Sequence, residues 1–166
     1  MRLAADKGEP LAQYRMGTLY ERGRGVPTDM KQAVSWYDLA AKGGNSNAMN
    51  NLAVAYADGN GIDKNFAEAA RWFKSAAELG LDDSQFNLAV LYERGMGVAP
   101  STTEAYRWYL IAGAQGDAES KTRVEALTTQ LQPAQRETIQ RAANGFRPRP
   151  MFAAANTPPT VAQAAP

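Results

Sequence analysis

A strict period of 36 residues is the feature that most constrains the fold of this 166-residue chain. Tyrosine, tryptophan and glycine recur at this interval without an insertion, and the three tryptophans of the set are the only ones in the sequence. The positions are Tyr20, Tyr56 and Tyr92; Trp36, Trp72 and Trp108; Gly23, Gly59 and Gly95; Gly25, Gly61 and Gly97; and Gly44, Gly80 and Gly116. Because a fixed period of this length is typical of stacked repeat architectures, the sequence predicts a solenoid.

Within one period the pattern predicts two helices. Helix A of the first unit is predicted over residues 10–22, with apolar residues recurring on one face at helical spacing. Helix B is predicted over residues 30–42, with Trp36 on its buried face. Gly23 follows helix A and suits the left-handed conformation that ends many helices. The chain is therefore predicted to be all-α.

The starts of the B helices carry a capping signature. A side-chain oxygen followed three residues later by Gln or Glu forms a capping box, in which each side chain satisfies a backbone N–H of the other residue. The three pairs are Asp29 with Gln32, Asn65 with Glu68, and Ser101 with Glu104. Because all three pairs can form a capping box although their residues differ, we expect helix B to begin at this position in every unit.

The period divides the chain into a start, three units and an end. Residues 1–9 match the end of a helix B and are expected to belong to a preceding truncated repeat. The complete repeats are residues 10–45, 46–81 and 82–117. Residues 118–146 lack the repeated aromatic and glycine positions and are expected to form capping helices. Residues 147–166, rich in proline and alanine, are expected to be a disordered tail or linker.

Composition argues against several classes of function. The chain has neither histidine nor cysteine, so it lacks the commonest general base and all thiolate chemistry. A net charge of +1, from 18 basic and 17 acidic residues, gives no electrostatic footprint for nucleic acid. We therefore expect no enzyme activity, cofactor or metal, no nucleic-acid partner, and no membrane contact by this segment. A cysteine-free chain fits the cytosol and the periplasm equally well.

Two patterns that resemble functional motifs are better explained as structure. Gly-x-Gly follows a helix and lacks the third glycine and preceding strand of a dinucleotide-binding loop. Glu21 and Glu93 lie two units apart, beyond the roughly 5–9.5 Å that separates the carboxylates of a glycosidase. We expect solvated carboxylates at both positions. The periodic tyrosines and tryptophans are expected in the core.

The repeated motif is similar to that of Sel1-like repeats, which are relatives of tetratricopeptide repeats with a longer unit. The motif is Ala-x-x-x-(Leu/Met)-(Gly/Ala)-x-x-Tyr-x-x-Gly-x-Gly-(Val/Ile), then Ala-x-x-Trp-(Tyr/Phe)-x-x-Ala, and it covers residues 1–117. Ser84 and Gly113 depart from it, standing where other units have alanine. The resemblance implies a right-handed α/α superhelical solenoid that acts as a non-enzymatic protein-protein interaction scaffold or adaptor.

Three stretches also resemble the periplasmic Sel1-like region of alphaproteobacterial polar localisation factors, the PodJ-like polar organelle development proteins. The stretches are residues 11–20, 83–95 and 116–121. Members of that family join a cytoplasmic coiled coil, one membrane span and a periplasmic Sel1-like domain, and some continue into a peptidoglycan-binding module. The resemblance implies that this chain is the periplasmic portion of an inner-membrane-anchored bacterial protein.

By analogy with tetratricopeptide repeats, helix A residues just outside the core stripe line the concave face. These candidate partner-binding residues are Tyr14, Thr18 and Arg22; Asn50, Val54 and Asp58; and Phe86, Val90 and Arg94. An apolar strip with a polar rim suits an extended peptide or a helix of a partner protein. At Tyr14 and Phe86 the alternative is packing against neighbouring helices.

A second hypothesis is a module that binds peptidoglycan directly or regulates a cell-wall enzyme. Exposed aromatic side chains, together with Asn50 or Asn87, would carry the contact with the wall. The two hypotheses differ in what they require of the aromatic residues, since a carbohydrate platform needs them exposed.

Overall fold

The computed structural model describes residues 2–150 and 153–156, and every regular element in these ranges is a helix. The helices are α1 (Arg2–Asp6), α2 (Pro10–Arg22), α3 (Met30–Lys42), α4 (Ser46–Asp58), α5 (Phe66–Glu78), α6 (Asp82–Arg94), α7 (Thr102–Ala114), α8 (Ala118–Thr128), α9 (Pro133–Asn144) and α10 (Ala153–Asn156). Helices α2, α4 and α6 are the A helices of repeats 1 to 3, and α3, α5 and α7 are the B helices. No helix in the described ranges has the length and apolar character needed to cross a membrane.

The helices stack in chain order. Each A helix packs against the B helix of its own unit and against the B helix of the unit before it. The short helix α1 occupies the position of a preceding helix B and packs on α2. At the other end, α8 and α9 both pack on α7. Packing between successive neighbours defines a helical solenoid, so the predicted fold class is confirmed.

The core combines alanine with large aromatic side chains. Trp72 and Trp108 are 6% and 3% exposed, as their predicted core role requires. Trp36 is only half-buried and joins a smaller cluster with Ala5 and Met16. The alanines three residues before each tryptophan are fully buried: Ala33, Ala69 and Ala105. Small side chains at these positions leave room for the aromatic rings beside them.

The B helices begin at the predicted position, but only half of each capping box forms. The side chain of Asp29 accepts the N–H of Gln32 at 3.0 Å. The N–H of Asp29, however, donates to the carbonyl of Tyr20 at 3.0 Å. The equivalent backbone bonds join Asn65 to Tyr56 and Ser101 to Tyr92. Because the short loop brings the end of helix A to this point, a backbone carbonyl replaces the Gln or Glu side chain.

The two glycines of each Gly-x-Gly loop serve different purposes. The first, such as Gly95 with φ 65°, ends helix A in the predicted left-handed conformation. In repeats 2 and 3 the second also lies against the preceding unit: a Cβ at Gly97 would be 2.2 Å from the carbonyl oxygen of Phe66. A Cβ at Gly61 would likewise be 2.4 Å from the carbonyl oxygen of Met30. The sequence predicts that the first glycine ends helix A. It does not predict the close approach of the second glycine, because that contact depends on the backbone of the neighbouring repeat.

The C-terminal stretch differs from the predicted disordered tail. The N–H of Arg149 donates to the carbonyl of Glu78 at 2.8 Å, and α10 packs on α2. Proline and alanine cannot build a core of their own, but they can lie on a surface that the repeats already provide. Residues 151–152 and 157–166 of the predicted tail lie outside the described residues.

Alanine at Gly97 should destabilise the fold more than alanine at Gly25. Both glycines have positive φ, 69° and 76°, so each change carries the cost of about 1–2 kcal/mol of a left-handed backbone. Only at Gly97 does the new methyl group also collide, because nothing lies within 4 Å of a Cβ at Gly25. Denaturant unfolding measures both changes, and equal losses of free energy would contradict a packing role for the second glycine.

Candidate interaction face

The candidate residues lie three on each A helix, and we call this surface the A face. Its members are Tyr14, Thr18, Arg22, Asn50, Val54, Asp58, Phe86, Val90 and Arg94. Val54 at its centre is 38% exposed, an unusual exposure for a large apolar side chain in this chain. The residues at the C-terminal ends of the three helices are exposed and alternate in sign: Arg22, Asp58 and Arg94. The A face thus has an apolar centre and a charged edge.

Tyr14 and Phe86 pack into the solenoid rather than standing free on the A face. The ring centroids of Tyr14 and Tyr37 lie 5.9 Å apart, and those of Phe86 and Tyr109 lie 5.7 Å apart. Tyr14 and Phe86 are each half-buried. The alternative of packing against a neighbouring helix therefore describes both residues, and each retains only part of its surface for a partner.

Polar members of the A face also make internal bonds. The Thr18 hydroxyl donates to the carbonyl of Arg15 at 2.8 Å, within α2. The Ser84 hydroxyl donates to Asn50 Oδ1 at 2.8 Å and so joins α6 to α4. Ser84 is 0% exposed, and a buried hydroxyl needs a partner. The departure of Ser84 from the repeat motif is thus matched by Asn50, another residue that breaks the period.

Glu21 and Glu93 are structural anchors, so the expectation of solvated carboxylates is wrong. The Tyr37 hydroxyl donates to Glu21 at 2.6 Å, and the Tyr109 hydroxyl donates to Glu93 at 2.8 Å. Arg123 of α8 forms an ion pair with Glu93 as well. Both carboxylates are half-buried because they serve the hydroxyl groups of two tyrosines that are each 1% exposed.

A pattern in the sequence could have revealed these pairs. In repeats 1 and 3 a glutamate stands 16 residues before the tyrosine. In repeat 2 the same two positions hold Ala57 and Phe73. The hydroxyl and the carboxylate are therefore present together or absent together. Such pairing is expected for buried polar groups, because a buried donor or acceptor without a hydrogen-bond partner lowers the stability of the fold.

The tyrosines beneath the A face are held in the protonated form. Burial raises the pKa of Tyr109 from its ordinary 10.0 to about 12, although the charge of Arg94 opposes the shift. Burial raises the pKa of Tyr37 as well, and its hydrogen bond to Glu21 adds to the effect. The stabilisation linked to Tyr109 is thus complete below about pH 10 and is lost as the pH rises through about 12. At neutral pH these phenols are hydrogen-bond donors that hold the face together.

Aromatic exposure separates the two functional hypotheses. Within the described residues, no aromatic side chain is exposed, and the large exposed apolar side chains are Leu3, Leu39 and Val54. Asn87 is half-buried. The hypothesis of direct peptidoglycan binding relies on exposed rings, and the aromatic side chains of the described residues are buried or half-buried.

The stacked helix pairs define a helical-repeat solenoid. The model of the Sel1 repeat matches residues 10–45, 46–81 and 82–117, and the chain belongs to the Sel1 repeat family. Sel1 repeat proteins are generally non-enzymatic protein-interaction scaffolds. No match was found among curated proteins.

Two of the solved structures that are similar to the chain illustrate the family. One is a protective antigen present in uropathogenic Escherichia coli strains that displays an SLR fold, with a TM-score of 0.70 and 42% identity. The match covers 72% of this chain and 26% of the antigen. The other is a Sel1 repeat protein from Oxalobacter formigenes, with a TM-score of 0.69 and 34% identity, over 71% of this chain and 49% of that one. The chain thus spans less than half of either relative.

A double-mutant cycle at Glu21 and Tyr37 should show strong coupling. Glu21→Ala leaves a buried hydroxyl without its carboxylate and should cost about 1–3 kcal/mol, whereas Tyr37→Phe with Glu21→Ala should cost less than the sum of the two single changes. Denaturant unfolding of the four chains gives the coupling energy. Additive losses would mean that the hydrogen bond contributes nothing. Repeat 2, with Ala57 and Phe73, is the natural counterpart of the double variant.

Proposed function

We propose that the chain binds a segment of another protein on the A face, as the interaction module of a scaffold. The observation that carries the proposal is the exposure of Val54 at the centre of this face, with charged residues at its edge. Proteins of this family are generally protein-interaction scaffolds, and an apolar centre with a polar rim is the arrangement found at protein-protein interfaces. The anchored tyrosines behind the face hold the A helices in fixed positions, so a partner meets a preorganised surface.

The charged edge indicates the chemistry of the partner. Arg22, Asp58 and Arg94 occupy the same position in successive repeats, so the edge presents positive, negative and positive charge in turn. A complementary peptide would therefore carry acidic, basic and acidic side chains in that order along the edge, with an apolar residue over Val54.

Charge at Val54 should weaken binding at least tenfold, and the same change at Leu39 should not. Leu39 lies on α3, outside the A face, and is 47% exposed, so Leu39→Glu is a matched control for Val54→Glu. Peptides are first selected against the native chain from a randomised library displayed on phage. Their dissociation constants should rise at least tenfold for Val54→Glu, because burying a carboxylate against an apolar partner is unfavourable.

Circular dichroism shows whether each variant keeps its helices. Comparable losses of affinity in the two variants, or unchanged affinity with Val54→Glu, would contradict the A face as the binding surface. Phe86 is unsuitable for this test, since its ring packs on Tyr109 and its removal would also disturb the fold.

We further propose that this module belongs to the periplasmic portion of an inner-membrane-anchored bacterial polar localisation factor. Support comes from residues 11–20, 83–95 and 116–121, which resemble the corresponding region of those factors. Protease added to spheroplasts should digest this segment of the full-length protein if it lies in the periplasm. Protection until the inner membrane is lysed would place the segment in the cytosol and overturn the proposal.

A further inference from the structure

We propose that the turn between repeats 1 and 2 is a recognition site for a short peptide segment, a small residue followed by asparagine. The chain's own segment Ala155-Asn156 occupies the site in the structure. The site consists of Gly44, Asn45 and Ser46, and we call it the turn site. It lies between α3 and α4 and shares no residue with the A face.

Both polar atoms of the Asn156 side chain form hydrogen bonds with the turn site. Its Oδ1 accepts the Ser46 backbone N–H at 2.9 Å and the Ser46 hydroxyl at 3.0 Å. Its Nδ2 donates to the carbonyl of Gly44 at 3.1 Å. A carboxylate could not make the last bond, and an alanine could make none of them. The turn site is therefore selective for a carboxamide.

Asn45 recognises the residue before this asparagine. Its Oδ1 caps α4 by accepting the N–H of Ala48 at 2.8 Å, while its Nδ2 donates to the carbonyl of Ala155. Asn45 is 0% exposed and Ala155 is 2% exposed, so the contact between them is shielded from solvent. A side chain much larger than alanine would have to displace its surroundings at position 155. This is why the ligand requires a small residue there.

The other turns of the solenoid lack the groups that make this site. The residues equivalent to Asn45 and Ser46 are Glu9 and Pro10, Leu81 and Asp82, and Asp117 and Ala118. Proline has no backbone N–H to donate, and neither a leucine nor an ionised carboxylate can donate a side-chain hydrogen bond. Within the three repeats, the turn site is thus specific to one junction.

The C-terminal segment makes a second contact with the repeats, one repeat away from the turn site. At Gly80, the counterpart of Gly44 one repeat later, a Cβ would lie 2.9 Å from the ring of Pro148. Arg149 next to it donates its N–H to the carbonyl of Glu78 at 2.8 Å and pairs with the carboxylate of Glu78. Residues 148–149 thus lie at the turn between repeats 2 and 3, and residues 155–156 lie at the equivalent turn of the preceding unit.

Occupation by a tethered segment has a regulatory consequence. A segment on a short tether acts at an effective concentration of the order of millimolar. A partner that carries the same small-residue and asparagine pair can therefore bind only after it displaces Asn156. The C-terminal segment is an internal competitor for this site.

The first test asks whether the contact exists in solution. Asn45→Asp keeps the oxygen that caps α4 but loses the donor to Ala155, and Asn156→Ala removes the carboxamide. Asn65→Asp is the matched control, because Asn65 caps α5 through Oδ1 in the same way. Amide hydrogen exchange at Ser46 should be at least tenfold faster in the first two variants than in the native chain or the control. Unchanged exchange at Ser46 would overturn the proposal.

The second test asks whether the site takes a ligand in trans. A labelled peptide with the sequence of residues 147–156 should bind the Asn156→Ala chain at least tenfold more tightly than the native chain, because the internal competitor is weakened. The same peptide with alanine in place of its asparagine should not bind, and Asn45→Asp added to the Asn156→Ala chain should abolish binding. Equal binding of the two peptides, equal binding to the two chains, or no binding would overturn the proposal.

Sedimentation of the native chain distinguishes occupation in cis from exchange between copies. A monomer across the concentration range supports the internal ligand. A dimer that disappears in the Asn156→Ala variant would mean that a second copy supplies the segment, and would overturn occupation in cis. These outcomes do not depend on Val54, so the proposals for the A face and for the turn site are tested independently.

Discussion

The spacing between neighbouring repeats depends on the close approach of the A–B loops of repeats 2 and 3 to the helix B of the preceding unit. At Gly61 and Gly97 the backbone of the loop lies directly against the first residue of α3 and of α5. Only glycine allows this approach at positive φ. Fully buried alanines on the B helices bring the helices of a unit together in a similar way. The regular residues therefore set distances, and the surface presented to a partner follows from those distances.

Much of this architecture could be predicted from the sequence because it is local and repeated. The bounds of α2 and α3 are those that the apolar pattern and the capping residues predict. The prediction failed where a contact joins helix A of a unit to its helix B. The N–H of Asp29 is satisfied by a carbonyl from the preceding helix, and Glu21 serves a tyrosine 16 residues away. Propensity and periodicity contain no information about such partners.

The candidate binding residues show the same division. Their placement on three A helices follows from the repeat, but their exposure could not be read from the period. Val54 is open to solvent, whereas Phe86 occupies an equivalent stripe of the next unit and packs on a tyrosine. Phe86 is partly covered by the ring of Tyr109, and the hydroxyl of Tyr109 is hydrogen-bonded to Glu93. Residues that break the repeat are thus of two kinds. Some are exposed to solvent, and others contact a second residue that also breaks the repeat.

The contact of α10 with the first repeat changes how the array should unfold. In a solenoid each unit touches only its neighbours, so the ends can fray while the middle remains folded. The bond from Asn45 to Ala155 joins residues 110 positions apart and links repeat 1 to the end of the chain. Opening of the terminal helices then breaks contacts at both ends of the array at once. This contact closes a long loop in a chain whose other contacts are mostly local. It should make unfolding more cooperative and folding slower than in an open array of the same length.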